Sequence, residues 1–143
     1  MTLTRDRRTE LIARCPLFRG LDAGHLAAVA EVATEVAFPA GRVIARQGEV
    51  GTGFFIVVDG RVRVVRDAAT LAELGPGEFF GELSVLDREP RVAQVVAEVS
   101  TTCLAVASWD FERVLLEQPA LTLAILRELA GRLRAVTEQQ HHH

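Results

Sequence analysis

The chain has 143 residues, of which 49% are hydrophobic and 24% charged, and its formal net charge is −3. This length suits one domain with a substantial core, and the apolar runs are far shorter than the roughly 20 residues of a membrane-spanning helix. Neither the sign of the net charge nor the placement of the arginines indicates a nucleic-acid-binding surface, so we expect a soluble protein without nucleic-acid contacts.

The first part of the chain is predicted to form two short helices. Apolar residues recur at helical spacing over residues 3–13 and again over residues 22–36. Asp22 begins the second segment, where its carboxylate is placed to cap the helix N-terminus.

The middle of the chain, from Val36 to about residue 107, consists of short β-branched or aromatic runs broken by glycines. This pattern is typical of antiparallel strands joined by tight turns. The run RVRVV at residues 61–65 alternates arginine with valine, which is the period of a half-buried strand. Asp59 and Gly60 directly precede this run and predict a hairpin turn.

The last part of the chain has helical spacing again. Ser108 and Asp110 are candidate caps for a first helix, and a long helix is predicted to follow Pro119. The chain order of two helices, about eight strands and two helices predicts a mainly β fold with α-helices. We expect a β-roll or jelly-roll barrel flanked by helical ends. We expect one domain over residues 1–140, with the three histidines at 141–143 as the remnant of an affinity tag. Whether the natural chain continues past Gln140 stays open.

The stretch FFGELSVLDREPRVA at residues 79–93 holds the candidate site. One helical turn over residues 82–86, just after Gly81, would present unpaired backbone N–H groups that suit an anion. Arg91 offers a planar fork of donors for a phosphate, and Glu82 accepts hydrogen bonds from sugar hydroxyls. Together they indicate a site for a phosphorylated ribose, although a plain ion pair between Glu82 and Arg91 would explain the same residues.

A longer stretch around these residues, LGPGEFFGELSVLDREPRVAQVVA at residues 74–97, resembles the phosphate-binding cassette of the cyclic-nucleotide-binding domains. The likeness extends to CPLFRGL at residues 15–21, FPAGRVIARQGEVG at residues 38–51 and FFIVVDGRVRVV at residues 54–65. It covers roughly residues 10–137 in order, in the manner of the catabolite activator protein-like sensor domains.

The resemblance implies a β-roll that holds a cyclic nucleotide, with the cassette as its wall and the last helix as a lid. Glu82 would bind the ribose 2′-hydroxyl and Arg91 the cyclic phosphate. Backbone N–H groups of Gly81, Leu83 and Ala93 would complete the phosphate cradle.

The last helix would also supply a cap over the purine. The positions that the resemblance implies for this cap are Arg132, Val136 and Thr137.

One departure from the family pattern lies directly after the arginine. The family commonly has serine or threonine there, whose hydroxyl donates to the phosphate, whereas this chain has Val92. Losing one hydrogen bond to a charged group costs about 1.5 to 3 kcal/mol, so we expect weakened binding. Because a hydroxyl at this position often serves guanine recognition in the family, Val92 favours cAMP over cGMP.

Other chemistry is not indicated. The chain lacks a convincing nucleophile with a base, a metal cluster or a pair of carboxylates, so we expect no enzymatic activity and no metal. Cys15 and Cys103 have no metal-ligand spacing, and no secretory signal opens the chain, which favours a cytoplasmic setting. We therefore predict a regulatory sensor that acts on an effector not present in this chain. The alternatives are a β-roll that binds no nucleotide and serves as a structural or protein-interaction module, and a sensor of another small effector.

The long final helix carries an apolar stripe of Leu126, Leu129, Leu133 and Val136 at three-and-four spacing. We predict a homodimer through this stripe. The competing outcome is a monomer in which the helix folds back over its own β-roll.

Overall fold

A computed structural model of the protein describes residues 3–51 and 53–141. His142 and His143, two of the three residues predicted as a tag remnant, lie outside the described residues. The helices are α1 (Arg5–Ala13), α2 (Ala23–Val32), α3 (Glu82–Asp87), α4 (Ser108–Glu117) and α5 (Pro119–His141), with a short 3₁₀ turn at Pro16–Phe18. The strands are β1 (Ala33–Phe38), β2 (Val43–Ala45), β3 (Gly53–Asp59), β4 (Val62–Arg66), β5 (Ala69–Leu74), β6 (Phe79–Phe80), β7 (Gln94–Ala97) and β8 (Thr101–Ala107).

The strands form two antiparallel four-stranded sheets. One sheet has the order β1-β8-β3-β6 and the other the order β2-β7-β4-β5. Helices precede and follow the strands, and α3 lies between β6 and β7. The predicted fold class, a β-roll flanked by helical ends, is confirmed.

The predicted hairpin at Asp59 and Gly60 is wrong. The strands on either side of this turn, β3 and β4, belong to different sheets, so the turn carries the chain from one sheet to the other. Gly60 has φ of +99°, and a Cβ there would lie 2.6 Å from the Ser100 carbonyl oxygen, so the turn packs against the start of β8. The hairpin lies instead between β4 and β5, where Asp67 and Ala68 have φ of 50° and 68°.

Two predicted helix boundaries also differ from the structure. The second helix ends at Val32 and not at Val36, because residues 33–38 pair with β8 as a strand. Asp22 caps this helix as predicted, since its carboxylate accepts a hydrogen bond from the backbone N–H of His25 at 3.0 Å. By contrast, α4 has Ala107 at its N-cap and no side-chain cap, and Ser108 is its first residue.

Aromatic packing joins the helical ends to the first sheet. The ring of Phe54 on β3 lies 4.9 Å from the ring of Phe111 on α4 and 5.9 Å from that of Phe18 in the 3₁₀ turn, centroid to centroid. All three side chains are fully buried, and Leu121 and Ile125 of α5 belong to the same core. The start of β3 and both C-terminal helices are therefore held in one packed unit.

Within the described ranges, the chain contains no helix that is long and apolar enough to span a membrane.

Candidate functional site

A cavity of about 290 Å³ opens beside the loop that joins β6 to β7 through α3. Its inner wall is apolar, and its outer wall is the segment that the sequence singled out. The lining residues are Val64, Leu74, Phe79, Phe80, Gly81, Glu82, Asp87, Glu89, Pro90, Arg91, Val92, Ala93 and Val95.

The carboxylate of Glu82 and the guanidinium of Arg91 both belong to this cavity, yet they do not neutralise each other directly. Both residues are described, and no ion pair of 4.0 Å or less joins them. Their charges influence one another only through the field across the cavity. The plain ion pair that the sequence left open is therefore not formed.

Arg91 is fixed through its backbone and its side chain. Its N–H donates to the Glu49 carbonyl oxygen at 2.8 Å, and its own carbonyl oxygen accepts from the N–H of Gly48 at 2.8 Å. The side chain is half-buried and donates from Nη2 to the Gly53 carbonyl oxygen at 2.9 Å. The short loop before β3 thus holds the arginine at the cavity.

Burial perturbs the pKa values of both charged groups. Burial lowers the pKa of the Arg91 guanidinium, while the carboxylates of Glu82 and Glu49 act in the opposite direction. Burial also raises the pKa of the Glu82 carboxyl above its ordinary value, and a backbone hydrogen bond and the charges of Arg132 and Arg91 oppose this shift. Each charge is held partly desolvated, which strengthens its interaction with an incoming polar group.

The other cassette residues lie around these two charges. Gly81 has φ of +91°, a left-handed conformation that glycine adopts without a Cβ clash, and α3 starts directly after it. Ala93 lines the cavity, and Val92 lies at its rim with 64% of its surface exposed. Leu83 is a backbone member of α3, and its side chain lies outside the described part of the chain.

The three candidate cap residues on α5 have different surroundings. Arg132 places Cζ 4.6 Å from the centroid of the Phe79 ring, and Phe79 lines the cavity. Val136 and Thr137 are exposed and do not line the cavity, and the Thr137 hydroxyl donates to the Leu133 carbonyl oxygen at 2.9 Å. Arg132 is likewise exposed and does not itself line the cavity, so its contact with Phe79 places it next to a wall residue, and the cap assignment of all three residues stays a prediction.

The predicted stripe on α5 is divided between two faces. Leu129 packs against the domain's own core, whereas Leu126, Leu133 and Val136 are exposed. Leu123, on the same helix but outside the predicted stripe, is exposed as well. One part of the stripe thus closes over the β-roll and another part faces away from it.

The apolar wall of the cavity was not predicted as part of the site. Phe79 and Phe80 of β6 are both buried and belong to this wall. Val64 on β4 and Val95 on β7 come from different parts of the sequence and meet only because these strands pair. The period-two alternation of β4 was the one sequence signal for an inward-facing valine.

Neither cysteine offers reactive chemistry. Cys15 and Cys103 are free and buried, and burial raises the pKa of each thiol to about 12. In the part of the chain that the structure describes, no group of three or more histidine, cysteine, aspartate or glutamate residues could hold a metal ion.

Comparison with known families identifies the domain that contains this cavity. Residues 35–118 match the family model described as the cyclic nucleotide-binding domain. The chain belongs to this family. The match includes every strand from β2 to β8 and the whole cassette.

Individual relatives of this cyclic nucleotide-binding domain include channels and transcriptional regulators. It is 37% identical over 115 residues to a cyclic nucleotide-gated potassium channel of Mesorhizobium japonicum, covering 80% of this chain and 32% of the channel. It is 33% identical to a CRP-like cAMP-activated global transcriptional regulator of Mycobacterium tuberculosis, covering 87% of this chain and 58% of the regulator. The N-terminal domain of a transcriptional regulator from Streptomyces coelicolor superposes with a TM-score of 0.80 and 32% identity, covering 90% of this chain and 95% of that one.

These relatives differ from the present chain in extent. The chain spans about a third of the channel and less than three-fifths of the Mycobacterium regulator. The shared part is the regulatory nucleotide-binding domain.

Proposed function

We propose that this domain is a non-enzymatic, cytoplasmic sensor that binds cAMP in the cavity beside α3. One observation carries the proposal: Glu82 and Arg91 lie at one cavity, partly desolvated, without forming an ion pair with each other. An acceptor and a planar cationic donor that both remain available match a ribose hydroxyl and a cyclic phosphate. The apolar wall, with Phe79 and Phe80, suits the purine.

The site residues have separate roles in this proposal. Glu82 accepts from the ribose 2′-hydroxyl, and Arg91 donates to the exocyclic oxygens of the cyclic phosphate. The backbone N–H groups of Gly81, Leu83 and Ala93 complete the phosphate contacts. Arg132, held against Phe79, closes the purine end, with Val136 and Thr137 as further cap positions on the same helix.

The preference for cAMP over cGMP rests on Val92. Its side chain lies at the rim of the cavity and has no hydroxyl to offer to a phosphate or a guanine. A cAMP-activated regulator among the relatives supports the same preference. We expect micromolar affinity for cAMP and no stronger binding of cGMP.

Binding reaches an effector through the two C-terminal helices. Phe111 of α4 and Leu121 of α5 pack in one core with β3, and Arg132 of α5 contacts Phe79 in the wall of the cavity. A nucleotide that contacts both the cassette and α5 favours the helix position in which both contacts form, which is a population shift. The exposed leucines of α5 supply a surface through which two copies pair.

Two other functions compete with this proposal. A β-roll that binds no nucleotide would serve as a structural or protein-interaction module, and a different small effector would use the same cavity. The separation of Glu82 from Arg91 argues against the first, because two partly desolvated charges without direct contact leave their desolvation cost uncompensated in the absence of a ligand. Titration calorimetry with cAMP, cGMP and AMP separates the proposed sensor from both alternatives, since only the sensor gives saturable heat with cAMP that is weaker or absent with the other two nucleotides.

A further inference from the structure

The backbone around Arg91 contains two close approaches that explain how its guanidinium is oriented. A Cβ added at Gly51 would lie 2.5 Å from Nη2 of Arg91, 2.6 Å from Cζ and 2.9 Å from Nε. A Cβ added at Gly81 would lie 2.7 Å from Nη1. Contacts below about 3 Å exceed what van der Waals packing allows, so the guanidinium fills the space that two side chains would otherwise take.

Gly51 therefore bounds one face of the guanidinium, Gly81 lies next to Nη1, and a hydrogen bond holds Nη2. Nη2 donates to the carbonyl oxygen of Gly53 at 2.9 Å, which uses one of the five donors of the fork. The remaining donors are directed by this confinement, not by an ion pair with Glu82. A fixed fork matters because bidentate recognition of phosphate depends on the plane of the guanidinium.

We propose that Gly51 and Gly81 form a seat for the Arg91 guanidinium, and that Gly51 is a positioning residue for cyclic phosphate binding. This inference rests on the proposed function. Gly51 acts by lacking a side chain: any Cβ there displaces the fork from the plane that the phosphate requires. Because the clashing atoms belong to the end of a long side chain, the fold itself tolerates the change.

The three glycines near Arg91 differ in what a substitution would disturb. At Gly53 a Cβ would lie 2.9 Å from the Val106 carbonyl oxygen, so alanine there strains the pairing of β3 with β8. At Gly81 the φ of +91° and a 2.9 Å approach to the Gly53 carbonyl oxygen strain the backbone as well. Gly51 has no positive φ, and the three nearest atoms to its Cβ all belong to Arg91. Gly51 is therefore the position that separates guanidinium placement from folding.

The test compares Gly51→Ala with Gly75→Ala, a glycine without positive φ whose added Cβ meets nothing within 4 Å. We expect Gly51→Ala to keep the unfolding temperature of the wild type and to weaken cAMP binding by about ten- to a hundredfold, the effect of a misplaced charge-assisted contact. Gly75→Ala should bind as the wild type does. Equal cAMP affinity in Gly51→Ala and the wild type would overturn the inference.

A double-mutant cycle tests whether Gly51 affects cAMP binding through the position of the Arg91 guanidinium or independently of it. In an Arg91→Lys background, where no planar fork occupies the seat, Gly51→Ala should change cAMP affinity by less than about twofold. An equally large loss in both backgrounds would show that Gly51 acts independently of the guanidinium and would contradict the proposal.

Two further measurements need no nucleotide. Nuclear Overhauser contacts between the Gly51 Hα protons and the Arg91 side chain are expected in the wild type, and their absence would overturn the seat even if Gly51→Ala failed to fold. Phenylglyoxal should modify Arg91 faster in Gly51→Ala than in the wild type. If the wild type binds no cAMP but these contacts are present, the proposed function is wrong and the seat is confirmed. If the wild type binds cAMP and the contacts are missing, the seat is wrong and the proposed function is unaffected.

Discussion

Arg132 of α5 lies over the ring of Phe79, with Cζ 4.6 Å from the ring centroid, so a residue of the last helix forms part of the surroundings of the cavity. Its charge also lowers the pKa of the Glu82 carboxyl, against the dominant effect of burial. The helix is thereby connected to both the apolar wall and the acidic group of the site.

Removing this contact should weaken nucleotide binding. We expect Arg132→Ala to reduce cAMP affinity by about two- to fivefold, since Arg132 is exposed and a cation–π contact at an exposed site contributes about 0.5 to 1 kcal/mol. Arg134→Ala, on the exposed side of the same helix, is the matched control and should leave affinity unchanged. Calorimetry in which the two variants bind alike would remove Arg132 from the site.

Glu82→Gln should separate binding from stability. The raised pKa means that the folded protein holds a proton on Glu82 more tightly than the unfolded chain does, so this group's contribution to stability is largest at low pH and is lost as pH rises through the folded-state pKa. At pH 7 the ionised carboxylate therefore lowers the stability of the folded protein. We expect Glu82→Gln to unfold at the same or a higher temperature than the wild type and to bind cAMP more weakly. A clear loss of stability in the variant, measured without nucleotide, would argue that Glu82 has a structural partner.

The same shift predicts how wild-type affinity changes with pH. A ribose hydroxyl donates to the ionised carboxylate, so cAMP affinity should fall as pH is lowered through the pKa of Glu82, beginning above the ordinary carboxyl value of 4.5. Glu82→Gln should lack this fall. An identical pH profile in both proteins would assign the titration to another group.

Val92→Ser restores the hydroxyl that the family commonly has at this position. We expect cAMP affinity to rise by up to about tenfold, because one hydrogen bond to a charged phosphate becomes available. The affinity for cGMP should rise at least as much. A folded variant without any gain for either nucleotide would mean that position 92 does not reach the phosphate.

The exposed leucines of α5 predict a homodimer through that helix. Leu133 is 68% exposed and Leu126 57%, and at 3.6 residues per turn they lie on a different face from Leu121 and Ile125, which are buried in the core. Replacing Leu126 and Leu133 together with glutamate should convert the dimer to a monomer in sedimentation experiments. Leu116→Glu, at a 78% exposed position on α4, is the control and should stay dimeric. A wild type that is monomeric at tens of micromolar, with and without cAMP, would exclude the dimer.

Much of the fold could be predicted because its signals are local. The Asp22 cap, the alternation in β4 and the helical spacing of α5 depend on neighbouring residues, and the structure contains all three elements. The boundary between α2 and β1 could not be predicted, since apolar spacing favoured a longer helix and only pairing with β8 makes residues 33–38 a strand.

The charged residues of the candidate site could be predicted from the sequence, but their positions relative to one another and to the cavity could not. Glu82 and Arg91 were predicted because the resemblance to the phosphate-binding cassette singles them out in a stretch that also holds Asp87, Arg88 and Glu89. The hairpin at Gly60 was mispredicted because a turn signal does not specify which strands pair. The contact of Gly51 with Arg91 depends on two distant loops meeting, and no local pattern encodes that.

The most direct test of the account is titration calorimetry of cAMP into the wild type and into Arg91→Ala, with a thermal scan of each protein. Truncating one partner of a partly desolvated charge contact costs about 2 to 5 kcal/mol, so the variant should lose about thirty- to several-thousandfold in affinity. The account predicts saturable micromolar binding to the wild type, no measurable binding to Arg91→Ala, and a cAMP-dependent rise in unfolding temperature for the wild type alone. Equal cAMP-induced shifts in both proteins would contradict the phosphate contact, and a wild type that binds no cAMP would contradict the proposed function.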